Sequence, residues 1–320
     1  MKYTIGIDMG GTNIVAGLVN ENGVLLDTVQ KKTCPPRPAE EYARDMADLG
    51  RELVEKNSLS WGDILWLGAG MPGTVNIEKG ALEYANNIGI TYAPLKKMLE
   101  EILPVKIYLE NDGNAAAWAE YTCGAEKNSK SFLMVTLGTG IGAGMVINGK
   151  IYRGVNFASG EIGHMVIKFD GETCSCGRRG CFEHYASASA LVRQAQEKME
   201  QDRGKDSVLW KLCDMNKEML DGKKIFAAVE SGDSVAVEVL NRYLEYLECG
   251  ITNLINIFQP EVLCIGGGIS KAEKYIIEPL KEKVKKNVYS RDSEKQTIIL
   301  PASLYNDAGI IGAALLGREE

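Results

Sequence analysis

The stretch YTIGIDMGGTNIVAGLVNENGVLLDTV, residues 3–29, decides the fold because its pattern returns later in the chain. Its apolar runs, separated by MGGTN and NENG, predict three strands joined by two tight turns. Residues 131–154, SFLMVTLGTGIGAGMVINGKIYRG, repeat the order of strand, Gly-Thr turn, strand, Asn-Gly turn and strand. The Gly-Thr pair precedes the Asn-Gly pair by eleven positions in the first copy and by ten in the second. We interpret the two stretches as an internal duplication.

Helices and further strands follow each copy. Four apolar residues at helical spacing predict an amphipathic helix after the first copy, namely Tyr42, Met46, Leu49 and Leu53. The segment ILWLGAGMPG then predicts a strand that ends in a glycine loop. After the second copy, a long apolar helix leads into the strand of EVLCIGGGIS, and a strand and a small-residue helix close the chain. The pattern therefore predicts an α/β fold.

The composition restricts the classes of function. A length of 320 residues indicates about two domains. The net charge of −7, with no run of basic residues, argues against nucleic acid as a partner. The start MKYTIGIDMGG predicts a strand rather than a signal peptide, and no apolar stretch approaches membrane-spanning length. We expect a soluble cytoplasmic protein that does not bind membranes.

Glycine-rich turns follow three of the predicted strands. Glycines allow backbone N–H groups to approach a phosphate closely, and neighbouring Thr and Asn side chains add donors. An aspartate at the end of the first strand can hold magnesium directly or through water. Neither turn of the duplicated unit matches the Walker pattern or the dinucleotide fingerprint. The residues predicted to bind a nucleotide with its magnesium are Asp8, Gly10, Gly11, Thr12, Asn13, Gly138, Thr139, Gly140, Gly267 and Gly268.

Three of the eight cysteines are clustered, at Cys174, Cys176 and Cys181, and the others are scattered. His164 lies ten residues before the cluster, and one nitrogen with three sulfurs suits tetrahedral zinc. Unligated thiols, a disulfide and an iron–sulfur centre are the alternatives. A reducing compartment argues against the disulfide, and the mixed His/Cys₃ set favours zinc over a cluster.

Asp112 raises a separate question, because it stands where the strand of VKIYLEN meets an alanine-rich helix. It is either a helix cap or a carboxylate held at a strand end for chemistry. The N-terminal dipole of the following helix would favour its ionised form. Asn114 could serve as the cap instead.

The chain resembles the ROK family of bacterial sugar kinases, within the actin, Hsp70 and hexokinase superfamily, and is most similar to the glucokinases of that family. The resemblance rests, in chain order, on DMGGTN, GMPGTVN, NDGNAAA, TLGTGIGAG, GEIGHM, CSCGRRGCFEHYAS, GGGIS and NDAGIIGAA. It implies duplicated ribonuclease-H-like, actin-like ATPase domains with a cleft between two lobes. The small lobe is expected at 1–112 plus 306–320 and the large lobe at 113–305. ATP with Mg²⁺, a structural zinc and a homodimer are also implied.

The resemblance also implies roles for individual residues. Asp112 is the general base that takes the proton of the sugar hydroxyl as the new P–O bond forms. Zinc lies on His164, Cys174, Cys176 and Cys181. The implied sugar ligands are Gly73, Thr74, Asn86, Asn111, Asp112, Glu161, His164 and Glu183. The imidazole of His164 would place one nitrogen on zinc and the other toward the sugar.

The implied reaction is ATP-dependent phosphorylation of glucose at its 6-hydroxyl. N-acetylmannosamine, N-acetylglucosamine, allose and fructose are alternative acceptors, because specificity depends on the shape of the pocket around a few hydroxyls. Gly113 departs from the Asp-Ala-Asn spelling of many family members, and the spelling found here also occurs in the family's N-acetylmannosamine kinases. A sugar-responsive repressor is a remote alternative. Such regulators carry an N-terminal helix-turn-helix module, whereas the first glycine turn here follows Asp8 directly. A second alternative to a sugar kinase is an ATPase activator with an iron–sulfur centre.

Overall fold

The fold is given by a computed structural model that describes residues 2–124, 129–202 and 204–319. The predicted strands of both copies are confirmed. The strands are β1 (Tyr3–Met9), β2 (Asn13–Asn20), β3 (Leu25–Lys32), β4 (Ile64–Met71), β5 (Thr74–Asn76), β6 (Ala81–Tyr84), β7 (Lys106–Asn111), β8 (Ser131–Leu137), β9 (Ile141–Ile147), β10 (Lys150–Ile151), β11 (Val262–Gly266) and β12 (Ile298–Pro301).

The helices include the amphipathic one predicted after the first copy, which buries Tyr42, Met46, Leu49 and Leu53. They are α1 (Ala39–Lys56), α2 (Leu95–Glu100), α3 (Asp112–Cys123), α4 (Phe182–Ala186), α5 (Ala188–Gln201), α6 (Val208–Leu212), α7 (Gly222–Glu230), α8 (Ser234–Phe258), α9 (Ile277–Asn287) and α10 (Ala308–Leu315). Among the described residues, no helix combines the length and the apolarity that crossing a bilayer requires.

Two five-stranded sheets carry the duplication. The first has the strand order β3-β2-β1-β4-β7 and the second has the order β10-β9-β8-β11-β12. In both sheets the three strands of the meander therefore precede two strands that come later in the chain. In the first sheet β1 pairs antiparallel with β2, whereas β1 with β4 and β4 with β7 are parallel. The shared order confirms the predicted duplicated α/β fold.

The chain divides into two compact units. The first is Met1–Met134 with Gly144–Gly160 and Ser303–Glu320, and the second is Val135–Ala143 with Glu161–Ala302. The lobe expected at 1–112 plus 306–320 falls within the first unit, which also contains helix α3. Asp112 and the helix that it begins therefore belong to one unit. The lobe boundaries themselves stay a prediction.

Helix α10 packs against the first sheet and against α3 through backbone contacts that only glycine allows. A Cβ atom at Gly68 of β4 would lie 1.9 Å from the carbonyl oxygen of Ala313. A Cβ atom at Gly312 would lie 1.7 Å from the carbonyl oxygen of Ala115. These approaches explain the small residues of the closing helix, and they bring its first turn to the end of β1.

Candidate functional site

Three neighbouring strands of the first sheet end at one edge. Asp8 of β1 lies opposite Gly70 of β4, and Gly70 lies opposite Glu110 of β7. Because these strands are parallel, their carboxyl ends meet there, which is where open α/β sheets bind ligands. The structure therefore gathers the first glycine turn, the MPGT loop and the Asn-Asp pair, which are far apart in sequence.

The question of which residue caps helix α3 is answered by Asn111. Its side-chain oxygen accepts a hydrogen bond from the backbone N–H of Asn114 at 3.1 Å, so Asn111 rather than Asp112 is the cap. Asn114, the other expected cap, instead donates to the carboxylate of Glu110. Asp112 is the first residue of the helix, and its Oδ1 accepts from the N–H of Gly113 at 2.8 Å.

A buried carboxylate supports the Asn-Asp pair from beneath. Glu110 is 1% exposed, and its Oε1 accepts the N–H of Asn111 and the Nδ2 of Asn114, both at 2.9 Å. Its Oε2 pairs with Nε of Arg153 at 2.6 Å. Burial raises the pKa of Glu110, whereas Arg153 and the two asparagine donors act to lower it. No sequence pattern indicates this support, because Arg153 lies 43 residues from Glu110.

The carboxylate of Asp8 is held in an environment that disfavours its charge. Burial, with a further contribution from the charge of Asp112, raises its pKa from 3.8 to about 6. The first turn of α10 closes over it, because a Cβ atom at Gly309 would lie 2.7 Å from Oδ2 of Asp8. A divalent cation would favour the ionised form of Asp8, because its positive charge offsets the cost of burying the carboxylate.

The predicted sugar loops lie beside this strand edge. The Nδ2 of Asn111 donates to the carbonyl oxygen of Gly73 at 3.0 Å. Gly73 has a φ of 87°, and a Cβ atom there would lie 2.0 Å from the carbonyl oxygen of Tyr84. Thr74 begins β5, and Asn86 begins a short 3₁₀ turn. The structure thus brings Gly73, Asn111 and Asp112 together, and their roles toward a sugar stay a prediction.

The second unit contains a cavity of about 990 Å³ between the second glycine turn and the GGGIS loop. Gly138, Thr139 and Gly268 line it. Gly267 has a φ of 89°, and a Cβ atom there would lie 2.1 Å from the carbonyl oxygen of Leu137. Only glycine allows that approach, which places the two predicted nucleotide loops side by side.

Two residues of this cavity were missed by the sequence analysis. Phe226 of α7 and Tyr275 line it, and their rings stack with centroids 5.5 Å apart and an interplanar angle of 12°. Such an aromatic wall suits a flat heterocycle. In sequence, each aromatic residue is indistinguishable from one that fills a core.

The four predicted zinc ligands lie close together in the structure. One ligand atom from each of His164, Cys174, Cys176 and Cys181 lies within 4.8 Å of the others. Sγ of Cys176 and Sγ of Cys181 are 3.7 Å apart, as are Sγ of Cys174 and Nδ1 of His164. Bonds of about 2.3 Å in a tetrahedral zinc site give ligand separations of about 3.8 Å. The donor set and its spacing therefore fit zinc.

The remaining predicted sugar ligands flank this cluster. Nε2 of His164 faces Glu161, with 4.0 Å between it and Oε2, while Nδ1 faces Cys174. Glu183 follows Cys181 in helix α4, and its Oε2 accepts the N–H of Ile141 at 2.9 Å. That carboxylate also lies against Gly140. Glu183 thus contacts the second glycine turn, and its contact with a sugar stays a prediction.

The strand order and the glycine turns at the strand ends define a duplicated actin-like ATPase fold with two lobes. The chain belongs to the ROK family, whose model matches residues 4–320. The glucokinase of Streptomyces coelicolor is 34% identical over 323 residues, which cover 100% of this chain and 98% of that protein.

Similarity also extends to a solved structure and to a regulator. The structure of a ROK family glucokinase from Streptomyces griseus, in complex with glucose and AMPPNP, superposes on this chain with a TM-score of 0.83. The two sequences are 33% identical, and the match covers 99% of this chain and 100% of that chain. The xylose repressor of Bacillus subtilis is 29% identical over 311 residues, 97% of this chain and 75% of that protein. Proteins similar to this chain therefore include both kinases and regulators. The residues of the site, rather than the fold, must indicate which function this chain has.

Proposed function

We propose that this protein is an ATP-dependent hexokinase that transfers the γ-phosphate of ATP to the 6-hydroxyl of glucose. The observation that carries the proposal is the position of Asp112 at the ligand-binding edge of the first sheet, where Asn111 takes over the capping of α3. Because Asn111 caps the helix, capping does not explain the carboxylate at position 112. Full-length similarity to glucokinases supports the same reaction.

Asp112 acts as the general base in this proposal. The hydroxyl oxygen attacks the γ-phosphorus, its proton passes to the carboxylate, and the bond to the bridging oxygen breaks to release ADP. Mg²⁺ held at Asp8 would offset the negative charge of the phosphates. The N–H groups of the first glycine turn would bind the phosphate oxygens.

The large cavity of the second unit is proposed to take the nucleoside. Gly138, Thr139 and Gly268 line this cavity, and the stacked rings of Phe226 and Tyr275 offer an apolar wall. Glu161, His164 and Glu183, together with Gly73, Thr74, Asn86 and Asn111, are proposed to contact the sugar. Specificity among hexoses depends on the fit of these few polar groups to hydroxyls.

The test is a coupled ADP-release assay of the purified chain with ATP and Mg²⁺ across a hexose panel. We expect glucose to give the highest kcat/KM, with transfer to the 6-hydroxyl identified by phosphorus NMR of the product. A higher kcat/KM for N-acetylmannosamine, N-acetylglucosamine, allose or fructose would reassign the acceptor. Turnover of none of these sugars would contradict the kinase proposal and favour a regulator related to the xylose repressor.

Zinc on His164, Cys174, Cys176 and Cys181 is proposed as a structural organiser. Four protein ligands leave no open position, so the ion would supply rigidity rather than Lewis acidity. It would fix the N-terminus of α4, from which Glu183 reaches the N–H of Ile141, and it would orient His164 beside Glu161.

Substituting one exposed ligand should remove the metal. We expect Cys176→Ser to lose zinc, because one of four donors is replaced by a neutral hydroxyl, and to lower the melting temperature. The matched control is Cys34→Ser, another exposed cysteine outside the cluster, which should keep its zinc. Metal content is measured by elemental analysis. Iron in place of zinc in the unsubstituted protein would contradict the assignment and favour the iron–sulfur alternative.

A further inference from the structure

Thr33 is a buried polar residue that neither the motifs nor the proposed chemistry use. It directly follows strand β3 and is 0% exposed. Its hydroxyl donates to the carbonyl oxygen of Gly10 at 2.7 Å, and its backbone N–H donates to the carbonyl oxygen of Thr12 at 2.9 Å. One residue therefore holds two carbonyl groups of the first glycine turn.

The hydroxyl of Thr33 donates to the carbonyl oxygen of Gly10, which in an ordinary hairpin would accept a backbone N–H of the turn itself. In a tight two-residue turn, the flanking residues exchange two backbone hydrogen bonds. Here the N–H of Gly10 donates to the carbonyl oxygen of Asn13 at 2.9 Å. The reciprocal bond, from Asn13 to Gly10, is not formed in the described turn, and the carbonyl of Gly10 instead accepts the hydroxyl of Thr33. The turn is thereby held open.

Because trans peptide groups are planar, fixing the carbonyls of the turn also fixes the direction of the backbone N–H groups that follow them. In each peptide unit the C=O and the following N–H point in opposite directions. With the carbonyls of Gly10 and Thr12 both turned toward Thr33, the N–H groups of Gly11 and Asn13 are turned away from it. Gly11 and Thr12 are exposed, so the open side of the turn faces solvent. Successive N–H groups presented in this way form an anion site.

We propose that Thr33 is a positioning residue for phosphate binding, which keeps the N–H groups of the first glycine turn directed at the nucleotide phosphates. The inference rests on the proposed kinase function. Without the hydroxyl, no side chain holds the carbonyl of Gly10 toward residue 33, and the carbonyl can rotate toward the N–H of Asn13. The turn then closes into an ordinary hairpin and withdraws one phosphate donor.

The experiment compares Thr33→Val, which keeps the shape and removes the hydroxyl, with Thr33→Ser, which keeps the hydroxyl. The matched control is Thr4→Val, because Thr4 is a buried threonine of the same sheet whose hydroxyl lies 3.5 Å from the carbonyl oxygen of Val19. Kinetic constants for ATP and for the sugar are measured, together with calorimetric affinity for AMPPNP with Mg²⁺. Thermal unfolding reports the structural cost of each substitution.

We expect Thr33→Val to lower kcat/KM for ATP by about tenfold or more, since misplaced binding groups reduce productive alignment. The affinity for AMPPNP should fall in parallel. KM for the sugar should stay within about twofold of the wild-type value, because the groups proposed to bind the sugar are unchanged. Thr33→Ser should restore most of the loss. Thr4→Val should lower the melting temperature without this kinetic pattern.

Equal kinetics of Thr33→Val and Thr4→Val, at a similar loss of melting temperature, would overturn the proposal. If Thr33→Val does not fold, Thr33→Cys, with a thiol that is only a weak donor, should show the same pattern. Wild-type protein that binds AMPPNP but phosphorylates no hexose would overturn the proposed function. In that case the affinity arm alone still decides the role of Thr33.

Discussion

Replacing Asp112 by asparagine should lower kcat by a factor of about 10²–10⁴, because the amide cannot accept the hydroxyl proton in the transition state. The substitution is nearly isosteric. Asn111 remains the cap of α3, so the free energy of unfolding should change by less than about 1 kcal/mol. KM for the sugar should change little. Steady-state kinetics with the preferred hexose, together with urea unfolding, measures these quantities.

The matched control for Asp112→Asn is Asp233→Asn. Asp233 is a carboxylate at a helix N-terminus, where it caps α8 by accepting the N–H of Ala236 at 2.8 Å. The carboxylate of Asp233 also accepts from the hydroxyl of Ser207 and the N–H of Val208. Its conversion to an amide should therefore leave kcat unchanged while it lowers the stability. Full activity of Asp112→Asn would show that the carboxylate is not the base and would remove the central residue of the proposal.

Replacing Asp8 by asparagine should stabilise the Mg²⁺-free protein at pH 8 while it reduces kinase activity. The pKa of Asp8 is raised from 3.8 to about 6 in the folded protein, so the folded state binds a proton more tightly than the unfolded state. Stability contributed by this group is therefore lost as the pH rises from about 4 to about 6. The full shift corresponds to about 3 kcal/mol, an upper value for the gain at pH 8.

The pH dependence separates this effect from ordinary changes in packing. In urea unfolding without Mg²⁺, Asp8→Asn should exceed the wild type in stability at pH 8 and approach it near pH 4. Asp292→Asn, which changes a side chain that is 98% exposed, should show no such difference between the two pH values. In the presence of Mg²⁺ and ATP, Asp8→Asn should have a lower kcat/KM for ATP because a ligand of the cation is lost. The raised pKa of Asp8 would be contradicted if the difference in unfolding free energy between Asp8→Asn and the wild type were the same at pH 4 and pH 8.

The sequence by itself determined the duplicated meander, the glycine turns at the strand ends and the four clustered residues that we propose as zinc ligands. These features are local: a turn between two apolar runs, or four donors close along the chain, carry their own geometry. The repeated spacing of Gly-Thr and Asn-Gly therefore predicted the internal duplication, and the structure adds that both five-stranded sheets share one strand order.

Only the tertiary structure decided which side chains serve one another across the fold. Asn111 rather than Asp112 caps α3, and Glu183 contacts the N–H of Ile141. Phe226 and Tyr275 form one wall of a cavity, and Thr33 takes the carbonyl of Gly10. The reason is physical: such partners are chosen by the packing of elements distant in sequence, and no local pattern records which of several polar or aromatic residues that packing will bring together.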